Sequence, residues 1–177
     1  MEPQPDTKDW TWTLRRRCPD CGLFAGEVPI EKIADRAEAA AAEWVQILTA
    51  SAGVGLRPKP DVWSPLEYGV HVRDVYQLFD ARLTLMLVED HPTFENWDQN
   101  ESAIAGEYAV QDPDRVAAEL ATAAESFVIR VRGLAEDQHE RAGRRSDGAD
   151  FTVITFCQYF LHDVVHHLWD VTGQVED

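Results

Sequence analysis

The pattern of this chain predicts an all-α protein, a bundle of four long helices, and three observations carry that prediction. Apolar residues recur at helical spacing over four segments. Two of these segments open with a capping residue followed by proline, Ser64-Pro65 and Asp112-Pro113, a pairing suited to a helix start because the missing proline N–H is harmless there. No alternating run flanked by hairpin turns signals a strand.

Residues 1 to 28 mix proline, glycine, tryptophan and charge without a sustained period, and are expected to form an irregular arm packed on a bundle spanning 29 to 177. From Pro29 to about Ala50 the positions Ile30, Ile33, Ala37, Ala41, Trp44 and Leu48 define the first helix. The stretch SAGVGLRPKPDVW then breaks it into a loop. At Ser64-Pro65-Leu66-Glu67, a serine cap, a first-turn proline and a glutamate three residues after the cap start a second helix running to about Glu89. Its apolar positions include Val70, Val75, Leu78, Phe79, Leu85 and Met86, with His71 beside that stripe.

Residues 90 to 111 are polar with scattered aromatics, so a long crossover is expected between the second and third helices, with one short helix near Glu101 to Tyr108. This crossover is a candidate lid. Asp112-Pro113 restarts helix, and Val116, Leu120, Ala124, Phe127, Val131 and Leu134 carry it to about Glu136. After the charged loop QHERAGRRSDGAD, Thr152 caps a fourth helix running to Val171 and stopping before Gly173. That helix is apolar nearly all round, which predicts that other elements surround it.

With 45% apolar residues in 177, one core is well supplied. No window approaches 18 consecutive apolar residues and MEPQPDTKDW lacks a signal-peptide layout, so no membrane partner and a cytoplasmic setting are expected. Sixteen basic against thirty-two acidic residues give a net charge of -16, which disfavours nucleic acid as a partner. Three cysteines are too few and too unevenly placed for a disulfide framework.

His162 and His166, one turn apart in LHDVVHHLWD, place two imidazoles on one helix face where they can meet a single cation. As polar residues on an apolar helix they need partners. His71 is the candidate third ligand. Three imidazoles with an open fourth position describe a catalytic-type Zn²⁺ site, and imidazole also suits Ni²⁺, Fe²⁺ or Cu²⁺. The same spacing fits separate histidines bonded to carbonyls and carboxylates. Asp163, Asp74 and Glu67 lie close in sequence as outer partners or as solvated helix charges. His167, rotated about 100° from His166, reads as a bystander, and His91 and His139 as loop residues.

Cys18-Pro19-Asp20-Cys21-Gly22 has the spacing of half a zinc knuckle, with no second half nearby, although Cys157 and a histidine are available through folding. An isolated turn is the plainer alternative. Arg144-Arg145 and Arg15-Arg16-Arg17 can hold an anionic group or stand as solvated charges. The motifs of serine hydrolases, P-loop NTPases, dinucleotide-binding dehydrogenases and zincins are absent.

Trp63-Ser64-Pro65 with Glu67 and His71, followed some ninety residues later by His162-Asp163-Val164-Val165-His166, resembles the DinB-like (DinB/YfiT) superfamily, which includes mycothiol-dependent maleylpyruvate isomerases and bacillithiol transferases. The resemblance spans roughly residues 30 to 172 and leaves the arm with its C-x-x-C outside. It implies a four-helix bundle binding a divalent metal, Zn²⁺ or Ni²⁺, through His71, His162 and His166. It further implies activation of a low-molecular-weight thiol for attack on a small electrophile, and a homodimer, since relatives often pair. The readings to be weighed are therefore a metal-dependent thiol S-transferase, a metal-assisted hydrolase without thiol, a non-catalytic metal-binding protein, and a helical interaction module.

Overall fold

In the computed structural model, which describes residues 9–50 and 52–175, the helices are α1 (Ile30–Ala50), α2 (Pro65–Val88), the short α3 (Gln99–Ala105), α4 (Pro113–Arg132) and α5 (Val153–Thr172). The first eight residues of the expected arm lie outside the described residues. Helix starts are set by side chains. The Ser64 hydroxyl accepts from the Glu67 N–H while the Glu67 carboxylate accepts from the Ser64 N–H at 2.8 Å; Asp112 accepts from the Arg115 N–H at 2.8 Å, and Thr152 from the Thr155 N–H at 3.2 Å. Each satisfies an amide that the helix itself leaves open.

The main packing partners of α1 are α4 and α5, and those of α2 are also α4 and α5. The sequence neighbours α1 and α2, and likewise α4 and α5, thus lie across the bundle from one another, whereas α2 and α4 pack side by side. Phe160 of α5 occupies the centre, with ring centroids 4.0 Å from Phe127 of α4 and 4.9 Å from Tyr76 of α2. The Tyr76 hydroxyl donates to the Ala37 carbonyl of α1 at 2.6 Å, so one buried side chain ties three helices together. Among the described residues no helix is long and apolar enough to cross a membrane.

Three details differ from the sequence expectation. A small sheet is present, in which β1 (Thr93–Phe94) pairs parallel with β2 (Ala142–Arg145) and β2 pairs antiparallel with β3 (Asp150–Thr152). These strands are two to four residues long, too short to alternate visibly, and the sheet packs on α5 through Phe94 and Phe151, both against Phe156. Helix α4 stops at Arg132 rather than near Glu136 because the Gly133 N–H turns back to the Ile129 and Arg130 carbonyls. The short crossover helix begins at the Asp98 cap and ends at Ala105, with a separate 3-10 turn over Tyr108–Val110.

The described part of the arm contains two 3-10 turns, Trp10–Leu14 and Ala25–Glu27, that pack on α5. Cys18, Cys21, Leu23, Ala25 and Val28 are buried, and the Gln158 amide of α5 donates to the Gly26 and Val28 carbonyls at 3.1 and 3.0 Å.

Candidate functional site

The run His162-Asp163-Val164-Val165-His166-His167 contains two pairs at i,i+4 spacing, offset by one residue and hence by about 100° around α5. The bundle uses both. His162 and His166 face the arm and meet Cys18 and Cys21, with one donor atom from each of the four within 4.8 Å of the others. Asp163 and His167 face α2 and meet His71, again with one donor atom from each inside 4.8 Å. The imidazoles expected to share one cation are thus divided, His162 and His166 in one cluster and His71 in the other. His167, expected to be a bystander, belongs with His71.

In the second cluster His71 Nε2 lies 3.3 Å from Asp163 Oδ1, and His167 Nε2 lies 3.6 Å from the same oxygen. The His71 Nε2 and Asp163 Oδ1 atoms are buried without a hydrogen-bond partner, which is costly unless something else satisfies them. His167 Nδ1 is 2.8 Å from Asp170 Oδ2. Assigning the proton to Nδ1, where the carboxylate accepts it, leaves the Nε2 lone pair facing Asp163. His71 is fully buried, stacked at 5.1 Å and 7° on Trp97 of the crossover and packed on Trp63.

In the first cluster Cys18 Sγ is 3.6 Å from His166 Nδ1, and His162 Nε2 is buried without a partner. Trp10 covers the pair, its ring 5.5 Å from His162 and 4.9 Å from His166.

Burial sets most of the protonation states. It lowers His71, against the opposing pull of Asp163. It takes His162 down to about 4, with His166 adding to the effect, and lowers His166 as well. For Asp163, burial acts upward but His71, His167 and His162 outweigh it and hold the carboxyl at about 2. Burial pushes the Cys21 thiol up to about 12. At neutral pH, His71, His162 and His166 therefore offer uncharged nitrogens and Asp163 a carboxylate, the states that bind cations.

A cavity of about 710 Å³ opens against both clusters, lined by His162, Asp163, His166 and His167 of α5, by Trp63 and Tyr68, by Asn96, Trp97 and Asp98 of the crossover, and by Arg82, Arg145 and Tyr159. The crossover segment expected to act as a lid does border it. Glu67 is instead a structural residue, capping α2 and paired with Arg57. Asp74 accepts from the Tyr108 hydroxyl and pairs with Arg73. Arg144 pairs with Asp150 away from the cavity, whereas Arg145 lines it beside Asp147. Cys157 is buried in the core, in neither cluster.

The chain belongs to the DinB superfamily, whose family model matches residues 33–171. Among solved structures it is similar to YfiT from Bacillus subtilis, described as a probable metal-dependent hydrolase with an unusual four-helix bundle topology. The TM-score is 0.75 at 18% identity, over 81% of this chain and 84% of that one, a likeness in fold. No curated protein matches the chain significantly.

Proposed function

We propose that this protein is a metal-dependent hydrolase of a small anionic substrate, with its divalent cation held by His71, Asp163 and His167. The observation that carries this reading is the convergence of three donor atoms from α2 and α5 at one cavity, two of them buried and otherwise unpartnered. Two imidazoles and a carboxylate form a donor set used by hydrolytic zinc sites, and they leave coordination positions open. YfiT, the structural neighbour, is itself described as a probable metal-dependent hydrolase, which supports the same direction. When bound, the cation supplies Lewis acidity that polarises a substrate oxygen and lowers the pKa of water.

The chain's own residues supply the rest. Asp170 fixes the His167 tautomer and ring orientation. Trp97 and Trp63 pack on His71, holding its ring in place and keeping water from its buried edge. Arg82 and Arg145 are the two cationic side chains in a lining that also carries seven aspartates. Arg145 is held by Asp147 at 2.8 Å and by the Tyr159 hydroxyl at 3.3 Å, while Arg82 donates to the Glu95 carbonyl and lies over the Phe94 ring. A guanidinium without a carboxylate partner, as Arg82 is among the described residues, suits a substrate carboxylate or phosphate.

Zn²⁺ or Ni²⁺, a cytoplasmic setting and a dimer remain part of this reading, as does thiol transfer as the alternative reaction at the same centre. The experiment is a panel of carboxylate- and phosphate-bearing esters and amides, assayed on Zn²⁺- and Ni²⁺-loaded protein with and without a low-molecular-weight thiol. Turnover without thiol, abolished in His71→Ala, Asp163→Asn and His167→Ala, and a raised KM for anionic substrates in Arg82→Gln, are expected. Turnover only with thiol transfers the reading to S-transfer, and full activity in the three ligand variants defeats both.

A further inference from the structure

We propose that Cys18, Cys21, His162 and His166 form a second, closed Zn²⁺ site that fastens the N-terminal arm to α5. This site uses none of the residues of the His71 centre and does not rest on the hydrolase reading.

The four residues form a complete ligand set assembled from two remote segments. Cys18 and Cys21 come from one tight turn, closed by the Gly22 N–H donating to the Cys18 carbonyl at 3.1 Å and the Cys18 N–H donating to the Leu23 carbonyl at 2.8 Å. Gly22 adopts φ 82°, a left-handed conformation that a side chain resists, so the C-P-D-C-G order fits the turn. The histidines come from successive turns of α5 with rings 5.1 Å apart. All four are buried, the cysteines completely and the histidines to within 3% and 7% exposure.

The spacing fits coordination as well as it fits a thiol–imidazole hydrogen bond. A tetrahedral zinc with sulfur at about 2.3 Å and nitrogen at about 2.0–2.1 Å holds two such ligands roughly 3.6 Å apart, and Cys18 Sγ lies 3.6 Å from His166 Nδ1. His162 Nε2 is buried with no partner. A disulfide between Cys18 and Cys21 would leave that nitrogen and its neighbour His166 without purpose, whereas a cation uses all four donors. Binding is balanced in charge and atoms: Zn²⁺ enters, two thiols release two protons to solvent, and the centre becomes neutral. A neutral centre suits a largely buried site that Trp10 covers at the cavity's edge, and four protein ligands leave no open position for substrate.

The test uses the full chain loaded with Zn²⁺, with metal content and zinc K-edge X-ray absorption as readouts, and with Co²⁺ substitution to reveal sulfur-to-metal charge transfer. In His71→Ala, zinc is expected to show two sulfur and two nitrogen neighbours. Cys18→Ser and Cys21→Ser each lose one equivalent of metal and the charge-transfer absorption, and Asp163→Asn keeps both. Absence of sulfur neighbours in the wild-type spectrum overturns the proposal, and so does a folded Cys18→Ser chain that retains full metal content. The wild-type spectrum decides even where a cysteine variant fails to fold. If the cysteine variants lose the only equivalent bound and His71→Ala loses none, the hydrolase centre falls and this site stands.

Discussion

Asp170 tests the chemistry of the His71 centre without altering any proposed ligand. Its Oδ2 lies 2.8 Å from His167 Nδ1, and the two side chains are 21% and 16% exposed. A hydrogen bond to a charged acceptor contributes about 1.5–3 kcal/mol, against about 0.5–1.5 for a neutral one. Asp170→Asn keeps an acceptor and loses the charge, so it should cost about 1–1.5 kcal/mol, close to tenfold in metal affinity at about 1.4 kcal/mol per decade. Partial exposure places it at the lower end. Asp170→Ala also frees the ring to rotate and should fall in the range of about 10–100-fold seen when the outer partner of a ligating histidine is removed. Competition against a chromophoric chelator measures both. Only the equivalent unaffected by Cys18→Ser should weaken. An Asp170→Ala affinity within about twofold of wild type, a change under about 0.5 kcal/mol, refutes His167 Nε2 as a donor held ready by Asp170.

Three further outcomes follow from the scaffold. Burial acts to raise Glu67, but hydrogen bonds from Arg57 and Ser64 outweigh it and hold its pKa below the ordinary 4.5. The folded chain therefore binds fewer protons, and this stability is complete above that value and lost as pH falls through the lowered one. Glu67→Gln should cost about 1–2 kcal/mol at neutral pH and flatten the acid limb of urea-derived stability against pH; parallel curves contradict this. Tyr76→Phe removes the hydroxyl that donates to Ala37 and should cost about 1 kcal/mol, lowering Tm by about 2–4 °C in calorimetry; an unchanged Tm counts against that bond. A Cβ on Gly26 would fall 1.9 Å from the backbone oxygen of Leu14, so Gly26→Ala must separate the two 3-10 turns, and limited proteolysis should cut faster within residues 10–28; an unchanged cleavage pattern refutes the close packing.

The helices were legible because their starts are chemical. Ser64-Pro65-Leu66-Glu67 and Asp112-Pro113 announce a cap and a proline, and both caps form as expected. The sheet was not legible, because strands of two to four residues lack the length for a period to show. The site was half legible. His71 pointed inward as its place beside the apolar stripe suggested, and His162 with His166 formed a pair. What the sequence left open was which face of α5 turns toward α2. A helix apolar on one stripe announces its rotation through that stripe, but α5 buries residues all round, from Phe156 and Cys157 to Val164 and Val165. With no stripe to fix the phase, the spacing singled out the two imidazoles 162/166 as partners for His71 and left His167 as a bystander, although nothing in the pattern excluded the pair 163/167. The signal that separates them is a C-x-x-C in the arm lacking two ligands, together with one more histidine on α5 than a three-ligand centre with His71 needs.

The one-residue offset also gives the two clusters opposite electrostatic characters. Two thiolates cancel a divalent charge and two neutral imidazoles add none, so that cluster can sit largely buried without a net charge to solvate. In the proposed catalytic centre, one carboxylate and two imidazoles would leave a divalent cation with residual positive charge, which is costly in a dry interior but tolerable at the wall of an open cavity. Exchanging the roles would fail on both counts. An open thiolate centre would neutralise the charge that the proposed anionic substrate would meet, and a closed Asp163 centre would bury an uncompensated one. On the two proposed sites, the placement of Asp163 between the two histidine positions is what would fit one face of α5 for a structural centre and the adjacent face for a catalytic one.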